Sequence, residues 1–258
     1  MEASPALRLP LVLEQHGDAR RLVLADHALG GGQLDRLELT VPPDAEVSAS
    51  VANPLDAAYA LRHTRTSLRL ASARLSPAAL RAFVVTVEAA ARSRGVEHLE
   101  LVLAADHAAV RAVVRAGLAR AEVTFKLWAI ASGTAVRLLA ADVRVHGQLT
   151  TPGPVLAHQL LLDVAVLIGR HRERGLGDVE VEALGALLWA ALPPSGWRLP
   201  DVRDVVTVAV HVAPNGVGLA FMRAALDVSE RGATAPAPPL PVRALIAAHE
   251  LTRAGDEA

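Results

Sequence analysis

The sequence contains no cysteine, and this absence removes several kinds of site at once. Without thiols the chain has no disulfide framework, no thiolate metal centre and no cysteine nucleophile. Aromatic residues are also scarce, at 3% of the chain, so it has few of the stacking surfaces that bind single-stranded nucleic acids. We therefore expect a core of small aliphatic side chains and no nucleic-acid ligand.

Net charge and long apolar runs are lacking as well. The 26 basic and 27 acidic residues nearly cancel, so little electrostatic attraction draws the chain to phosphate polymers or anionic lipid. Lys126 is the only lysine among many arginines, a usage typical of GC-rich bacterial genomes. The longest apolar helical stretch, residues 155–169, is too short to span a bilayer. Since the N-terminus also lacks an export-signal pattern, we expect a cytoplasmic protein without membrane contact.

Alternation of apolar and polar residues is the clearest pattern that the sequence does contain. Residues 8–50 alternate in three runs separated by turn residues, and they predict a β meander. The triple glycine at 30–32 favours a hairpin turn over a phosphate-binding loop, because the residues after it are typical of a strand. Residues 67–75 predict a further strand.

Helical signals follow this strand. Ser76 is a suitable N-cap and Pro77 a suitable first helical residue, so we expect a helix that stops at Gly95. The segments after it are predicted in the order strand over 96–103, helix over 106–117 with Asp106 as its cap, and strand over 121–131.

A similar order of elements recurs after Gly133. A strand, a helix over 155–175, a strand, a short helix and a strand are predicted there, and residues 172–175 mirror residues 92–95. Either a divergent tandem duplication or the general likeness of amphipathic units in an Ala- and Val-rich chain explains the recurrence.

Together these patterns predict an α/β (α+β) fold with a mixed sheet. A strand-rich N-terminal section is followed by two similar strand-helix-strand-helix-strand units, whose helices cover at least one sheet face. The predicted sections are residues 1–66, 67–133 and 134–232, then a proline-rich linker over 233–241 and an amphipathic C-terminal helix over 242–258. We expect this helix to dock on the body of the protein or on a partner.

Residues 80–118 resemble the second half of the GNAT acyltransferase fold. In that family a helix ending Ala-Arg-x-x-Gly-Val leads to a strand of alternating leucines and then to a helix ending at Gly-Phe. The matching residues here are Ala91-Arg92-Ser93-Arg94-Gly95-Val96, then Leu99, Leu101 and Leu103, then Asp106, Ala109-Val110 and Gly117-Leu118. The resemblance implies an N-acyltransferase that uses an acyl-CoA such as acetyl-CoA.

The chain departs from this family at the loop that binds the acyl-CoA pyrophosphate. The family uses backbone amides of an Arg-x-x-Gly-x-Gly loop at a helix start. Residues 75–80 here contain neither glycine, and their proline lacks an N–H group. For an active enzyme, the resemblance implies cofactor contacts from Ser76, Ala78, Ala79 and Leu80, and a base at Glu100 or His107.

Histidines and tryptophans are the remaining candidates for chemistry. The ten histidines include no pattern with metal-ligand spacing, so we predict no metal site. Asp163 lies on an otherwise apolar helix face and needs a structural partner, such as His158, Arg144 or a backbone cap. Trp189 and Trp197 are expected to pack at the edge of the core.

Two functions of different classes are consistent with these observations. The first is a non-catalytic protein without a cofactor, either a degenerate acyltransferase-like scaffold or a regulatory module that acts through protein contacts. The second is an acyl-CoA-dependent N-acyltransferase with an atypical cofactor loop. The unmatched phosphate loop and the lack of a convergent acid, base and nucleophile favour the first. The composition permits a protein partner or a homodimer.

Overall fold

The computed structural model of the chain describes residues 9–29, 32–45, 54–148 and 151–224. Within these residues, the helices are α1 (Pro54–Ala60), α2 (Pro77–Ala91), α3 (Gly153–Ile168) and α4 (Ala183–Ala191). The strands are β1 (Val12–His16), β2 (Ala19–Leu29), β3 (Gly32–Val41), β4 (Ser67–Leu75), β5 (Val96–Leu103), β6 (Ala108–Ala116), β7 (Ala119–Ser132), β8 (Ala135–Gly147), β9 (His171–Gly175), β10 (Asp178–Val181), β11 (Val205–Ala213) and β12 (Gly216–Arg223). The predicted linker at 233–241 and helix at 242–258 lie outside the described residues.

The described strands form two six-stranded antiparallel sheets, so the α+β class is confirmed and the single mixed sheet is wrong. The strand orders are β1-β2-β3-β4-β12-β11 and β5-β6-β7-β8-β10-β9. The chain also divides into two compact units. The first unit takes its described residues from Met1–Ala73, Leu184–Val208 and Ala220–Ala258, and the second from Arg74–Ala183 and Ala209–Leu219. No described helix has the length and hydropathy that crossing a bilayer requires.

The predicted N-terminal meander is confirmed in the first unit. β1 pairs with β2 and β2 with β3, both antiparallel, and Leu29 lies opposite Gly32 as a hairpin requires. The register also places Leu22 opposite Leu39, and both side chains are buried. Their shared face supplies part of the apolar core of this unit.

The two tryptophans of the first unit differ in burial. Trp197 is 4% exposed and packs edge-on against Tyr59, with ring centroids 6.5 Å apart, so its predicted core position is confirmed. The same prediction is wrong for Trp189, which is 63% exposed. On α4 the buried positions are Leu184, Leu188 and Ala191, at helical spacing, and the residue after Leu188 points about 100° away from that face.

In the second unit, α2 and α3 cover one face of the sheet β5–β10. Alternate residues of the central strands point toward the helices, as the pleat requires. The buried residues of this cluster are Val87 and Ala91 of α2, Leu156, Ala157 and Leu160 of α3, Val96 and Leu99 of β5, Val110, Ala112 and Val114 of β6, and Val123 and Phe125 of β7. We call this side of the sheet the covered face.

The local signals for α2 are confirmed. The Ser76 side chain accepts a hydrogen bond from the Ala79 N–H at 3.2 Å, and Pro77 is the first helical residue. The helix continues into a short 3₁₀ turn, Arg92–Arg94, and ends at Gly95, whose φ of 83° is in the left-handed region.

The helix predicted over residues 106–117 is wrong, because this segment is β6. Its apolar residues fit a helical and a strand period equally, with Arg111 and Arg115 four apart. In the structure it pairs with β5 on one side and β7 on the other, and the gain from two ladders and a buried apolar face decides its conformation. The first predicted unit therefore has one helix instead of two, and the proposed repeat of strand-helix-strand-helix-strand units is not confirmed.

The helix predicted over residues 155–175 is too long at its C-terminal end. α3 stops at Ile168, Gly169 follows as its C-cap, and residues 171–175 form β9. Residues 92–95 and 172–175 consequently have different structures, a 3₁₀ turn and a strand, despite their similar sequences.

We predict that Gly95→Ala destabilises the second unit more than Gly133→Ala does. Both glycines have positive φ, so alanine adds a backbone cost of about 1 kcal/mol at each site. At Gly95 the new Cβ would also collide with the backbone oxygen of Arg115, whereas at Gly133 no atom of the described residues lies within 4 Å. The Arg115 backbone cannot yield easily, because its N–H donates to the Gly95 carbonyl at 2.8 Å. Urea unfolding of both variants measures the difference, and equal losses would contradict the close approach at Gly95.

Candidate functional site

The face of the second sheet opposite α2 and α3 presents charged and aromatic side chains, and we call it the open face. Strand alternation places on it every residue out of phase with the covered positions. Its members include Glu100 of β5, Arg111 of β6, Thr124, Lys126 and Trp128 of β7, Arg137 and Arg144 of β8, and Asp178 and Glu180 of β10.

Arg111 is the centre of one ion-pair cluster on this face. Its guanidinium donates to Glu122 Oε2 at 2.6 Å and lies 3.8 Å from Glu100 Oε2. The hydrogen bond with Glu122 raises the pKa of Arg111, and the same bond lowers the pKa of Glu122. Glu100, one of the predicted bases, thus lies beside a guanidinium that stays protonated.

Lys126 and Asp142 form a second pair on this face. The ammonium nitrogen lies 2.8 Å from Asp142 Oδ2, and its hydrogen bond lowers the pKa of Asp142. Asp142 has a φ of 55° at the point where the register between β7 and β8 shifts, between Thr124 and Lys126. The bulge aims the carboxylate at the lysine, which is the role such irregularities often have.

A third cluster joins β7, β8, β9 and β10. Arg137 donates two hydrogen bonds to Asp178, at 2.8 and 2.6 Å, in a bidentate pair that lowers the pKa of Asp178. Glu180 pairs with Arg174 at 2.8 Å and accepts from the Ser132 hydroxyl at 2.8 Å. The bonds from Arg174 and then Ser132 lower the pKa of Glu180. These carboxylates stay ionised at neutral pH and are poor proton donors.

His107, the other predicted base, lies in the turn between β5 and β6. Its Nδ1 is 2.6 Å from Asp106 Oδ1, and its ring stacks on Trp128 with centroids 5.2 Å apart. The turn is closed by a hydrogen bond from the Ala104 N–H to the His107 carbonyl at 2.8 Å. A carboxylate that holds Nδ1 and leaves Nε2 to a reactant is the arrangement of a general base. In the described part of the chain, however, no hydroxyl bonds to Nε2.

The predicted cofactor residues Ser76, Ala78, Ala79 and Leu80 form the start of α2. The Ala79 N–H is bonded to the Ser76 side chain, and the Leu80 N–H to the Ser76 carbonyl at 3.0 Å. Pro77, the first helical residue, has no N–H, which lowers the number of backbone donors at this helix start further. A pyrophosphate is normally held by several such donors at a helix start.

The structure does not bring the two predicted sets of residues into one cleft. α2 packs on the covered face, whereas Glu100 is in register with Arg111 and His107 stacks on Trp128, all on the open face. The sheet itself therefore separates the predicted cofactor loop from both predicted bases.

Asp163 has a structural partner, as predicted, but a different one. It forms an ion pair with Arg94, from the 3₁₀ turn after α2, and its second oxygen is buried without a hydrogen-bond partner among the described residues. His158 instead accepts from the Gly177 N–H at 3.1 Å and lies 3.2 Å from Glu173. No three His, Asp or Glu side chains of the described ranges gather as metal ligands.

The feature that sequence reasoning missed is β9, an edge strand of the second sheet. All five of its residues are exposed. The Glu182 N–H donates to the Arg170 carbonyl at 2.9 Å, and the register pairs Glu180 with Arg172. Since bonding alternates along an antiparallel ladder, Arg172 faces β10, while the N–H and C=O groups of His171 and Glu173 point away from the sheet. The available signal was the period-two run Arg-x-Arg-x-Arg over 170–174, between two glycines.

The opposite edge of this sheet, β5, is protected. The Leu99 N–H donates to the Glu88 side chain of α2 at 3.0 Å, and Glu88 also lies 3.4 Å from His98. An acceptor from a covering helix occupies a position that another strand would need. The two edges of the sheet are therefore unequal, with β5 capped by α2 and β9 open.

Comparison with known proteins adds no relative to these observations. No protein-family model matches the chain, and neither a curated protein nor a solved structure is similar to it.

We predict that Arg111→Met raises the pKa of Glu122 toward its ordinary value. The hydrogen bond from Arg111 is the main cause of the lowered pKa, so its removal stabilises the protonated form. The control is Arg115→Met on the same strand, because Arg115 pairs with Glu97 at 3.6 Å and not with Glu122. An NMR titration of the side-chain carboxyl carbons measures the pKa of Glu122 in each variant.

The lowered pKa of Glu122 also makes the stability of the fold depend on pH in a known direction. Because the folded-state pKa of Glu122 is lowered, its pairing stabilises the fold above the ordinary carboxyl pKa, and that contribution is lost as the pH falls through the folded-state pKa. A Glu122 pKa that is equal in wild type and Arg111→Met would contradict the pairing.

Proposed function

We propose that this chain is a non-catalytic protein, present in the cytoplasm, that acts by binding a segment of another protein on its second sheet. The observation that carries the proposal is the open edge at β9, where His171 and Glu173 present unpaired backbone groups beside the charged open face. Addition of a strand to such an edge is a common mode of peptide recognition.

The inequality of the two edges supports this proposal. Exposed sheet edges risk aggregation, and proteins usually cover or interrupt them. Glu88 and α2 do this at β5, and no described residue does it at β9. An edge that is left open beside one that is covered is expected where the open edge has a binding role.

The state of the ionisable groups also supports a role without catalysis. A general acid or base needs a pKa near the working pH, whereas Glu122, Asp142, Asp178 and Glu180 all have lowered pKa values because of hydrogen bonds from basic partners. Of the two versions of this function, we favour a regulatory module over a degenerate acyltransferase scaffold, because residues 108–116 form a strand where the GNAT resemblance implies a helix.

The edge hypothesis predicts opposite results for two substitutions at one residue. Glu173→Pro removes an outward N–H and places a ring on the edge, but it keeps the bonds of Arg172 to β10. Glu173→Ala keeps the N–H, and both variants lose the contact with His158 equally. With a photo-crosslinking residue at the exposed Leu176, we expect one partner to be captured in cells by wild type and Glu173→Ala, and not by Glu173→Pro. Equal capture by all three, identified by mass spectrometry, would refute the edge as the contact site.

The alternative function, an acyl-CoA-dependent N-acyltransferase, has one observation in its favour, the close pair of Asp106 and His107. A ligand that binds only the native state raises the melting temperature. We expect no rise with millimolar acetyl-CoA or coenzyme A, because the Ala79 and Leu80 N–H groups at the start of α2 are already bonded to Ser76 and Pro77 has none. A saturable rise, together with acetyl transfer to an amine that is lost in His107→Ala, would establish the alternative instead.

A further inference from the structure

The side chains of β9 and its flank determine which segment can add to this edge. Arg170 and Arg172 alternate along the ladder, and Arg174 contacts Glu180, so the three arginines line the open-face side of the edge. Arg174 has its partner in Glu180. In the described part of the chain, no carboxylate forms an ion pair with Arg170 or Arg172.

On the other side of the edge, the side chains of His171 and Glu173 already have polar neighbours within this chain. Glu173 lies 3.2 Å from His158 of α3, and His171 lies near the Gly169 carbonyl, 3.4 Å from its Nδ1. On the open-face side the three arginines lie opposite two carboxylates, Glu180 and Glu182, so an added strand meets a net positive charge on that side alone. Its own side chains alternate between the two sides, so every second one would face the arginines.

A second copy of this chain is a poor occupant. Antiparallel pairing of β9 with itself through the outward groups of His171 and Glu173 would set Arg172 opposite the same arginine of the second copy. Arg170 would then lie opposite Arg174. Like charges directly across a strand pair are destabilising.

The chain's own C-terminal stretch, residues 225–258, does not fit the pattern either. Its acidic residues are Asp227, Glu230, Glu250, Asp256 and Glu257, and no two of them are two positions apart. A strand formed from this stretch would bring no more than one carboxylate at a time to adjacent arginines of the edge.

We infer that the β9 edge binds an extended segment of a partner protein that carries Asp or Glu at every second position, and that this segment adds as a seventh strand. The inference rests on the proposed function and specifies its partner. The backbone of His171 and Glu173 supplies two donors and two acceptors for the added strand, and the carboxylates of the segment meet Arg170 and Arg172.

Labelled heptapeptides test this inference with the full chain, by fluorescence anisotropy at low and at physiological salt. The peptides are Thr-Glu-Thr-Glu-Thr-Glu-Thr, its lysine counterpart, and Glu-Glu-Thr-Thr-Thr-Thr-Glu, which has the same charge but no two glutamates two positions apart. We expect the alternating acidic peptide to bind at least about tenfold more tightly than either control, and its binding to weaken with salt. Equal binding of the two acidic peptides would overturn strand addition, since charge alone would then suffice.

Two pairs of substitutions distinguish the contribution of backbone pairing at the edge from the contribution of the arginine charges. Arg172→Glu is expected to abolish the preference for the acidic peptide, whereas Arg144→Glu, the same change on the open face opposite Thr124, is expected to leave it. Glu173→Pro is expected to prevent binding of every peptide, and Glu173→Ala to permit it. Thermal unfolding of each variant confirms that it is folded, and a preference that survives Arg172→Glu would overturn the inference.

Amide exchange gives a second, independent measurement. On binding of the acidic peptide we expect slower exchange at the amides of His171 and Glu173, and no change at Arg172, which already bonds to β10.

If no peptide binds while Glu173→Pro still abolishes the crosslink from position 176, the acidic segment is wrong and the proposed function stands. If Glu173→Pro changes neither the crosslinking nor the peptide binding, both the proposed function and the acidic segment are wrong. A dimer in sedimentation that Glu173→Pro dissociates would assign the edge to a second copy.

Discussion

The burial of alternate residues of β6 under α2 and α3 determines the character of both faces of the second sheet. Val110, Ala112 and Val114 are nearly inaccessible to solvent, and each removes apolar surface from water. Because the pleat has a period of two, this burial forces Arg111 and Arg115 to the opposite face. A slip of one residue would bury two guanidinium groups, which is far more costly than any local preference of the segment.

The charged network follows from that constraint. Once Arg111 points to the open face, its neighbours in β5 and β7 supply Glu100 and Glu122, and the same alternation aligns Arg137 with Asp178 and Glu180 two strands further on. The network is close to neutral and consists of ionised pairs. A surface of this kind favours complementary charge on an incoming chain and offers little for proton transfer.

The parts of the fold that could be predicted are those with strong local signals. Ser76 and Pro77 mark the start of α2 and Gly95 its end, since each acts within a few residues of its own position. The antiparallel pairing of β2 with β3, on either side of the triple glycine, was predictable for the same reason. The conformation of residues 106–117 was not, because their apolar pattern fits two periods and partners from β5 and β7 decide between them.

The candidate site was less predictable than the fold. His107 and Glu100 were recognised as residue types, but their surroundings, Trp128 and Arg111, come from strands whose register cannot be read from one sequence. β9 has no apolar residue, so no burial signal marked it as a strand. Its position follows from pairing with β10 alone.

The strand order of the two sheets has a consequence for synthesis on the ribosome. All strands of the second sheet lie between Val96 and Val181, so the nascent chain contains a complete second sheet while β11 and β12 are still to be translated. The first sheet needs β12 beside β4 and must wait for contacts of high sequence separation, which form slowly. During that interval one edge of β4 has no partner strand. At this stage the growing chain is most exposed to aggregation with other chains.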